Sequence, residues 1–387
     1  MKRQLAELPL HGGKAPAWLF SRMWRMAGAI TMAVVDAYGP AEMLRRLSDP
    51  WWFQAFGCAL GFDWHSSGVT TVTCGAMKEA YKHFGQDLGV IVAGGKGGVS
   101  RNTPREIADV SDRLAISGGQ KLVYASKMSA KVDSAAVQDG YQLYHHCFFF
   151  DRDGRWCVVQ QGMNDQTRYA RRYHWLGEGV DDFVCEPHNA IRDLCESRRR
   201  LKAASNQLLL NMVAAEAEEN RQASAQLVQW NPDKLLAEVR RLTEGPTLFA
   251  PAAHPVTGLH VNADRLAKIV REAHEQHPAD FEALLGSQGV GSATVRSLSL
   301  LAELIYNAPA SHRDPALPAI LKDQRKWADY SYTHGGKDGT PFPVNRELYD
   351  RNIAILTDAV RKARIGEPEK VDALKRLSAH ASSALSG

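Results

Sequence analysis

Apolar residues recur at helical spacing in the first part of the chain. Residues 16–47 carry apolar side chains every three to four positions, and the pair Gly39-Pro40 interrupts that pattern. Glycine ends helices readily, and proline fits the first turn of a new helix. We therefore predict two consecutive helices within residues 16–47, and the same spacing predicts another helix at 104–116.

A β-hairpin is predicted over residues 141–161. Two runs of aromatic and β-branched residues, 141–150 and 155–161, flank a turn that contains the pair Asp153-Gly154. An Asp-Gly pair suits the backbone of a tight hairpin turn, and the flanking residues favour strands.

Two further strands are predicted upstream of this hairpin. Residues 69–73 and 89–93 are rich in β-branched side chains, and a short helix is predicted between them at 76–83. Together with the hairpin, these elements predict a mixed α/β domain over residues 1–190.

The pattern becomes helical in the second half of the chain. Helices are predicted at residues 198–229, 233–243, 261–277, 280–306 and 345–364. We therefore predict an all-α domain over residues 191–387. The whole chain is then expected to have an α+β fold, with the mixed α/β domain first.

The helix predicted at 280–306 is interrupted by a glycine turn that is typical of a helix-hairpin-helix element. Glycines permit positive φ in the turn, and the valine between them can fill the space between the two helices. Free backbone N–H groups at the start of the second helix would suit a phosphate oxygen. The residues assigned to nucleic-acid binding in this element are Gly289, Val290, Gly291, Ser292 and Arg296. An ordinary two-helix corner is the alternative.

Composition and charge argue against a strongly basic protein, a membrane protein and a zinc ribbon. The chain has 47 Lys and Arg against 43 Asp and Glu, a net charge of +4, so any nucleic-acid surface must be a local patch. No apolar run reaches the length of a membrane span, so we expect no membrane partner. The six cysteines show no C-x-x-C spacing, which favours a reduced, cytoplasmic protein without a zinc ribbon.

Polar residues that suit catalysis gather around the predicted hairpin. The candidate catalytic residues are His65, Lys127, Lys131, Asp133, Asp139 and His145. Asp133 and Asp139 are the candidate ligands of a divalent metal, Mg²⁺ or Mn²⁺, that would assist phosphodiester cleavage. The Glu-x-Lys motif of a familiar nuclease arrangement is missing from the second strand. Taken singly, each of these residues is more simply explained as a core or capping residue.

Short turns that combine glycine and lysine are further candidates for phosphate contacts. The tetrapeptide His-Gly-Gly-Lys occurs twice, and its candidate nucleic-acid-binding residues are His11, Lys14, His334 and Lys337. Adjacent glycines expose backbone N–H groups, and lysine adds a positive charge. Residues 168–175 interleave arginines with aromatic residues, which predicts either a base-stacking surface or a solvated surface strand or helix with partly buried aromatic rings.

Five segments resemble a family known as domain of unknown function 763, which occurs in archaea and bacteria. They are residues 8–13 (LPLHGG), 61–68 (GFDWHSSG), 137–146 (VQDGYQLYHH), 158–163 (VVQQGM) and 334–339 (HGGKDG). The resemblance covers nearly the full length of the chain. It implies that the two halves work as one unit, and it assigns no catalytic residues.

These patterns lead to a hypothesis of function. We expect a nucleic-acid-processing protein, a DNA-binding, metal-dependent nuclease that acts on single-stranded or branched DNA. One alternative is a DNA-repair glycosylase or lyase, in which Asp314 and a lysine amine would act. The other is a non-catalytic nucleic-acid-binding or assembly protein, so catalysis itself is left open. A homo-oligomer is compatible with the sequence.

Overall fold

The computed structural model of the chain describes residues 2–9, 15–61, 67–178, 180–187, 209–243, 263–315, 350 and 353–354. The strands are β1 (Lys2–Pro9), β2 (Ile91–Lys96), β3 (Val137–Gln138), β4 (Gln142–Phe150), β5 (Trp156–Asn164), β6 (Tyr169–Leu176) and β7 (Leu210–Asn211). The helices are α1 (Ala17–Tyr38), α2 (Pro40–Ser48), α3 (Pro50–Ala59), α4 (Ser67–Phe84), α5 (Gly98–Arg101), α6 (Thr103–Arg113), α7 (Gly119–Lys131), α8 (Glu218–Val228), α9 (Pro232–Thr243), α10 (Ala263–Gln276), α11 (Phe281–Gly286) and α12 (Ser292–Tyr306). The predicted α+β class is confirmed.

A five-stranded antiparallel sheet lies at the centre of the fold, with the strand order β1-β6-β5-β4-β2. Both of its faces are buried. Along β4, Phe148 and Phe150 pack into one hydrophobic core, whereas Cys147 and Phe149 pack into the other. Successive side chains of a strand point to opposite faces, so a continuous apolar run fits a strand that is covered on both sides.

Helices α1 to α4 form the layer on one face of the sheet. The predicted break at Gly39-Pro40 is confirmed, because α1 ends at Tyr38 and α2 begins at Pro40. Helix α1 approaches α4 closely at Gly28, where an added Cβ would lie 2.3 Å from the ring of Phe84. The first half of the chain therefore supplies one complete face of the core.

The strand predicted at residues 69–73 is wrong, because this segment belongs to helix α4. Its β-branched residues favour a strand locally. In the fold, Val69, Thr73 and Met77 lie on one buried helical face that packs into the core. Tertiary packing of that face outweighs the intrinsic preference of each residue.

Helices α6 and α7 lie on the other face of the sheet, and the second half of the chain packs against α7. One continuous core joins Phe148 and Trp175 of the sheet to apolar residues of α8 to α12. Asn220 of α8 ties this layer together by donating to the carbonyls of Ser299 at 3.0 Å and Ala308 at 2.7 Å. The two predicted domains thus share a core, although the boundary at residue 190 stays a prediction.

The second half is not all-α, which corrects the prediction. Strand β7 pairs with β3, and Asn211 also forms a bridge with Ser311. Residues 209–214 therefore interrupt the helix predicted at 198–229, of which α8 is the described helical part. A two-stranded pair costs helical hydrogen bonds but connects the halves of the chain through backbone contacts.

No helix in the described part of the chain is both long and apolar enough to cross a membrane. The helix predicted at 345–364 lies outside the described residues, except for positions 350, 353 and 354. At position 350, Asp350 accepts from Arg22 Nε at 3.0 Å.

Gly94, in strand β2, is a position where only glycine fits. Its φ is +91°, and an added Cβ would lie 2.3 Å from the backbone oxygen of His146. We expect Gly94→Ala to lower the free energy of unfolding by ~3 kcal/mol or more, because strain and a backbone clash add. The change is measured as the shift of the urea unfolding midpoint between the two proteins at constant m-value.

Gly118→Ala is the matched control. Gly118 also has positive φ, +83°, but nothing lies within 4 Å of an added Cβ. The loss should therefore be only about 1–2 kcal/mol, from strain in the left-handed region. Equal losses at the two glycines would show that the contact with His146 does not constrain the fold.

Candidate functional site

A cavity of about 610 Å³ opens where helix α7, strand β4 and the turn between α11 and α12 meet. Three separate parts of the chain form its walls. The residues that line it are Ser100, Arg101, Pro104, Ser126, Lys127, Ala130, Lys131, Ser134, Leu143, His145, His146, Gly286, Ser287, Gln288 and Gly289. The cavity thus joins part of the predicted catalytic segment to the predicted nucleic-acid-binding turn.

The charged side chains that line this cavity are all positive. Arg101, Lys127 and Lys131 line it, and none of the described residues around it is a carboxylate. Arg101 and Lys127 are exposed at their positions on α5 and α7. Clustered cations without acidic neighbours create a positive potential that attracts anions.

His146 belongs to a hydrogen-bond chain that reaches from α7 into the sheet. Gln160 Nε2 donates to the carbonyl of Ser129 at 3.0 Å and also to Asp133 Oδ2. Both partners are acceptors, so the amide oxygen of Gln160 faces His146 Nδ1, at 2.7 Å. Nδ1 must then carry the proton of the neutral ring. His146 Nε2 is left as an acceptor for Ser126 Oγ, at 2.9 Å.

His145 is buried but has unsatisfied ring nitrogens. Its exposed fraction is 2%, and neither nitrogen finds a hydrogen-bond partner within the described residues. It lies beside an irregularity in the pairing of β4 with β5, between Leu143 and His145. Burial, reinforced by the charges of His146 and Lys96, lowers the pKa of His145 to about 3. His145 stands opposite Gln161 in the sheet, so its ring lies on the other face from that of His146.

The two predicted metal ligands occupy separate networks below the cavity. Asp133 Oδ2 accepts from Gln160 and from Trp175 Nε1, at 2.8 Å for the indole. Asp139 Oδ2 accepts from Arg171 Nη1 and the Tyr173 hydroxyl, both at 2.9 Å. The described residues contain no group of three or more His, Cys, Asp or Glu arranged for a metal ion. The assignment of Mg²⁺ or Mn²⁺ to these carboxylates stays a prediction.

Arg171 lies between two carboxylates. Its Nη atoms reach Asp139 at 2.9 Å and Asp314 at 3.1 Å. Burial raises the pKa of Asp139, and the Asp314 charge adds to that effect while Arg171 opposes it. Through these ion pairs the cluster connects β6 to the segment that contains Asp314. Asp314 is not among the residues that line the cavity.

Lys131 fastens the turn between α11 and α12 to α7. Its Nζ donates to the carbonyl of Val290 and to that of Ser287, the latter at 3.2 Å. Burial lowers the pKa of this amine. With its hydrogens directed at carbonyls, Lys131 holds the turn in position, and its assignment as a catalytic group stays a prediction.

A turn separates α11 from α12, as predicted, and its assignment as a helix-hairpin-helix element stays a prediction. Val290 is buried, Gly289 has a φ of +82°, and α12 begins at Ser292 without a side-chain cap. Arg296, however, is half-buried, and its Nε donates to Gln138 Oε1 at 2.9 Å. Arg296 is thus hydrogen-bonded to Gln138 of strand β3. Phosphate binding by this element stays a prediction.

A second polar network lies on the opposite face of the sheet. Gln161 accepts from Thr70 Oγ1 at 2.5 Å and donates to the Tyr144 hydroxyl. Arg172 Nε donates to His174 Nε2 at 2.8 Å, and both side chains are fully buried. The base-stacking surface proposed at residues 168–175 is therefore wrong, because residues 170–175 form a buried central strand.

The structure brings Lys127, Lys131 and His145 to the cavity and leaves Asp133 and Asp139 beneath it. Five predicted residues, His11, Lys14, His65, His334 and Lys337, lie outside the described residues. Sequence patterns missed Ser126, because a helix-to-strand contact leaves no local signature. Gln160 could have been found, because it stands opposite His146 in the predicted hairpin.

The family model described as "Protein of unknown function (DUF763)" matches residues 4–344 of the chain. The chain therefore belongs to this family, and the resemblance of its motifs is confirmed. No curated protein and no solved structure matches the chain.

Buried neutral histidines make stability depend on pH. Burial lowers the pKa of His145 to about 3 and that of His146 to about 4, from the usual 6.5. The unfolded chain then binds protons below pH 6.5 that the folded chain does not, so stability is full above that pH and falls as the pH decreases. Between pH 7 and 5 we expect about 2 kcal/mol of loss for each histidine, at 1.36 kcal/mol per pH unit.

Urea unfolding at pH 7 and pH 5 measures this dependence. In His146→Gln the loss between the two values should shrink by about 2 kcal/mol relative to the unaltered chain. Because each protein is compared with itself at the two pH values, the absolute stability of the variant does not affect the result. An unchanged loss in the variant would show that folding does not shift the pKa of His146.

Proposed function

We propose that this member of the DUF763 family is a nucleic-acid-processing protein that binds backbone phosphates in the cavity and cleaves the phosphodiester bond. One observation carries the proposal: catalytic-type side chains of α7 and β4 and the glycine turn line a single cavity, with three cations and no carboxylate among its described residues. Phosphate contacts supply most of the affinity of non-specific nucleic-acid binding.

The cations of the cavity have complementary roles in this proposal. Lys127 and Arg101 are exposed and free to move toward a phosphate oxygen. Lys131 is held by the carbonyls of Ser287 and Val290, so it contributes its charge and the position of the turn. Two mobile cations and one fixed cation suit a flexible, single-stranded backbone or one at a branch point.

The glycine turn extends the proposed contact surface beyond the cavity. Gly289 lines the cavity, whereas Gly291 and Ser292 lie further along, at the uncapped start of the 15-residue helix α12. The partial positive charge of a helix N-terminus favours phosphate. A strand bound in the cavity would therefore meet this second site next.

The alternatives receive less support from the geometry. A lyase would need Asp314 beside a lysine amine, but Asp314 pairs with Arg171 and does not line the cavity that Lys127 and Lys131 line. A protein that only binds nucleic acid would use the same cations, so it is one outcome of the test.

We also propose a cytoplasmic location, because the five described cysteines are free thiols.

Lys127→Gln should weaken nucleic-acid binding and reduce its salt dependence. Loss of one phosphate contact is expected to lower the slope of log K against log salt by about one unit. Fluorescence anisotropy with labelled single-stranded, duplex and branched DNA and with RNA, from low to moderate salt, measures both quantities.

Lys121→Gln is the matched control, since Lys121 is exposed on the same helix but does not line the cavity. It changes the net charge equally and should leave the slope unchanged. Equal effects of the two substitutions would contradict a localised phosphate site. Cleavage of the same oligonucleotides with Mg²⁺, with Mn²⁺ and with EDTA then separates a metal-dependent nuclease from a metal-independent nuclease and from a binding protein.

A further inference from the structure

The wall of the cavity contains a serine that is hydrogen-bonded to a positioned histidine. From this geometry, and resting on the proposed function, we propose that Ser126 is the nucleophile of a phosphodiester cleavage in which His146 is the general base and Gln160 positions the histidine. The cleaved strand is then transiently attached to Ser126 Oγ through its phosphate. This chemistry needs no metal ligand among the described residues.

The proton positions in this chain follow from its hydrogen bonds. Gln160 donates through Nε2 to two acceptors, so its oxygen accepts from His146 Nδ1. The lone pair of His146 Nε2 therefore points at Ser126 Oγ, at 2.9 Å. A base oriented by a third group and within hydrogen-bond reach of a hydroxyl is the arrangement that activates serine nucleophiles.

Two cations lie beside this pair in the cavity. Lys127 and Arg101 are exposed and line the cavity together with Ser126. They would hold the phosphate beside Ser126 and stabilise the charge of the transition state.

The reaction balances with water as the only co-reactant. Ser126 Oγ attacks phosphorus while its proton moves to His146 Nε2, and the ester bond to one nucleotide oxygen breaks. That oxygen takes the proton from His146 as it leaves. Water then attacks the phosphoserine ester, gives its proton to His146, and releases Ser126, which regains the proton. The products are two strand ends, one of them phosphorylated.

Substrate binding removes the main obstacle to this step. Burial lowers the pKa of His146 to about 4, so the empty site disfavours the imidazolium. A phosphodiester anion in the cavity stabilises that cation, and the Asp133 carboxylate, bonded to Gln160, adds to the effect. The histidine becomes an effective base only when the anion is present.

The first test compares two serines of the same cavity. Ser126→Ala should reduce cleavage of labelled oligonucleotides by roughly 10²–10³-fold or more while anisotropy shows unchanged binding. Ser134→Ala is the control, because Ser134 lines the cavity without contacting His146. Cleavage by Ser126→Ala at the rate of the unaltered protein would overturn the proposal and leave the proposed function standing.

The second test needs no nucleic acid. A fluorophosphonate probe should attach to Ser126 with loss of fluoride, seen as a mass increase that peptide mapping places on α7, and the adduct should be absent in Ser126→Ala. If the protein binds no nucleic acid but Ser126 is labelled, the proposed function fails and the nucleophile is upheld. Absence of labelling together with metal-dependent cleavage would overturn the nucleophile alone.

The positioning role is tested by Asp133→Asn, which keeps an oxygen for Gln160 and Trp175 but removes the negative charge. Loss of that charge should lower the pKa of His146 further, so the acid limb of the kcat/KM profile should move to lower pH as the maximal rate falls. A lower rate with an unmoved limb would mean that Asp133 only supports the fold.

Discussion

The need to satisfy polar side chains inside a sheet that is covered on both faces governs this structure. Strands β4, β5 and β6 each carry polar residues at positions with no access to bulk water, among them His146, Gln160, Gln161, Arg171 and Arg172. An unpaired buried polar group costs a few kcal/mol. These side chains therefore bond to one another and to the covering helices, in networks on both faces.

These hydrogen bonds also determine how the covering helices are positioned on the sheet. Trp175 and Gln160 converge on Asp133 at the end of α7, which fixes how that helix lies across the sheet. On the other face, His174 bonds through Nδ1 to the carbonyl of Leu47, which fixes α2. His145 departs from this rule beside the irregularity in the pairing of β4 with β5, where its ring nitrogens find no partner among the described residues.

Local patterns predicted the elements that local physics determines. The hairpin of β4 and β5 was predictable because an Asp-Gly turn and two strand-forming runs agree. Helix α4 was not, because residues 69–73 favour a strand until a buried helical face forms around them. The site was predictable only as a cluster of residue types, since Ser126 meets His146, and Lys131 meets Val290, across 20 and 159 positions of sequence.

The segment from α7 to β3 links the two halves of the proposed mechanism. Lys131 and Gln138 bind the turn and the start of α12 directly, so this segment and the turn move as one unit. Ser126 precedes Lys131 by five residues, about 7.5 Å along a helix at 1.5 Å per residue. Both residues line the cavity together with Gly289 of the turn, so a backbone held at the turn would lie in the same cavity as Ser126.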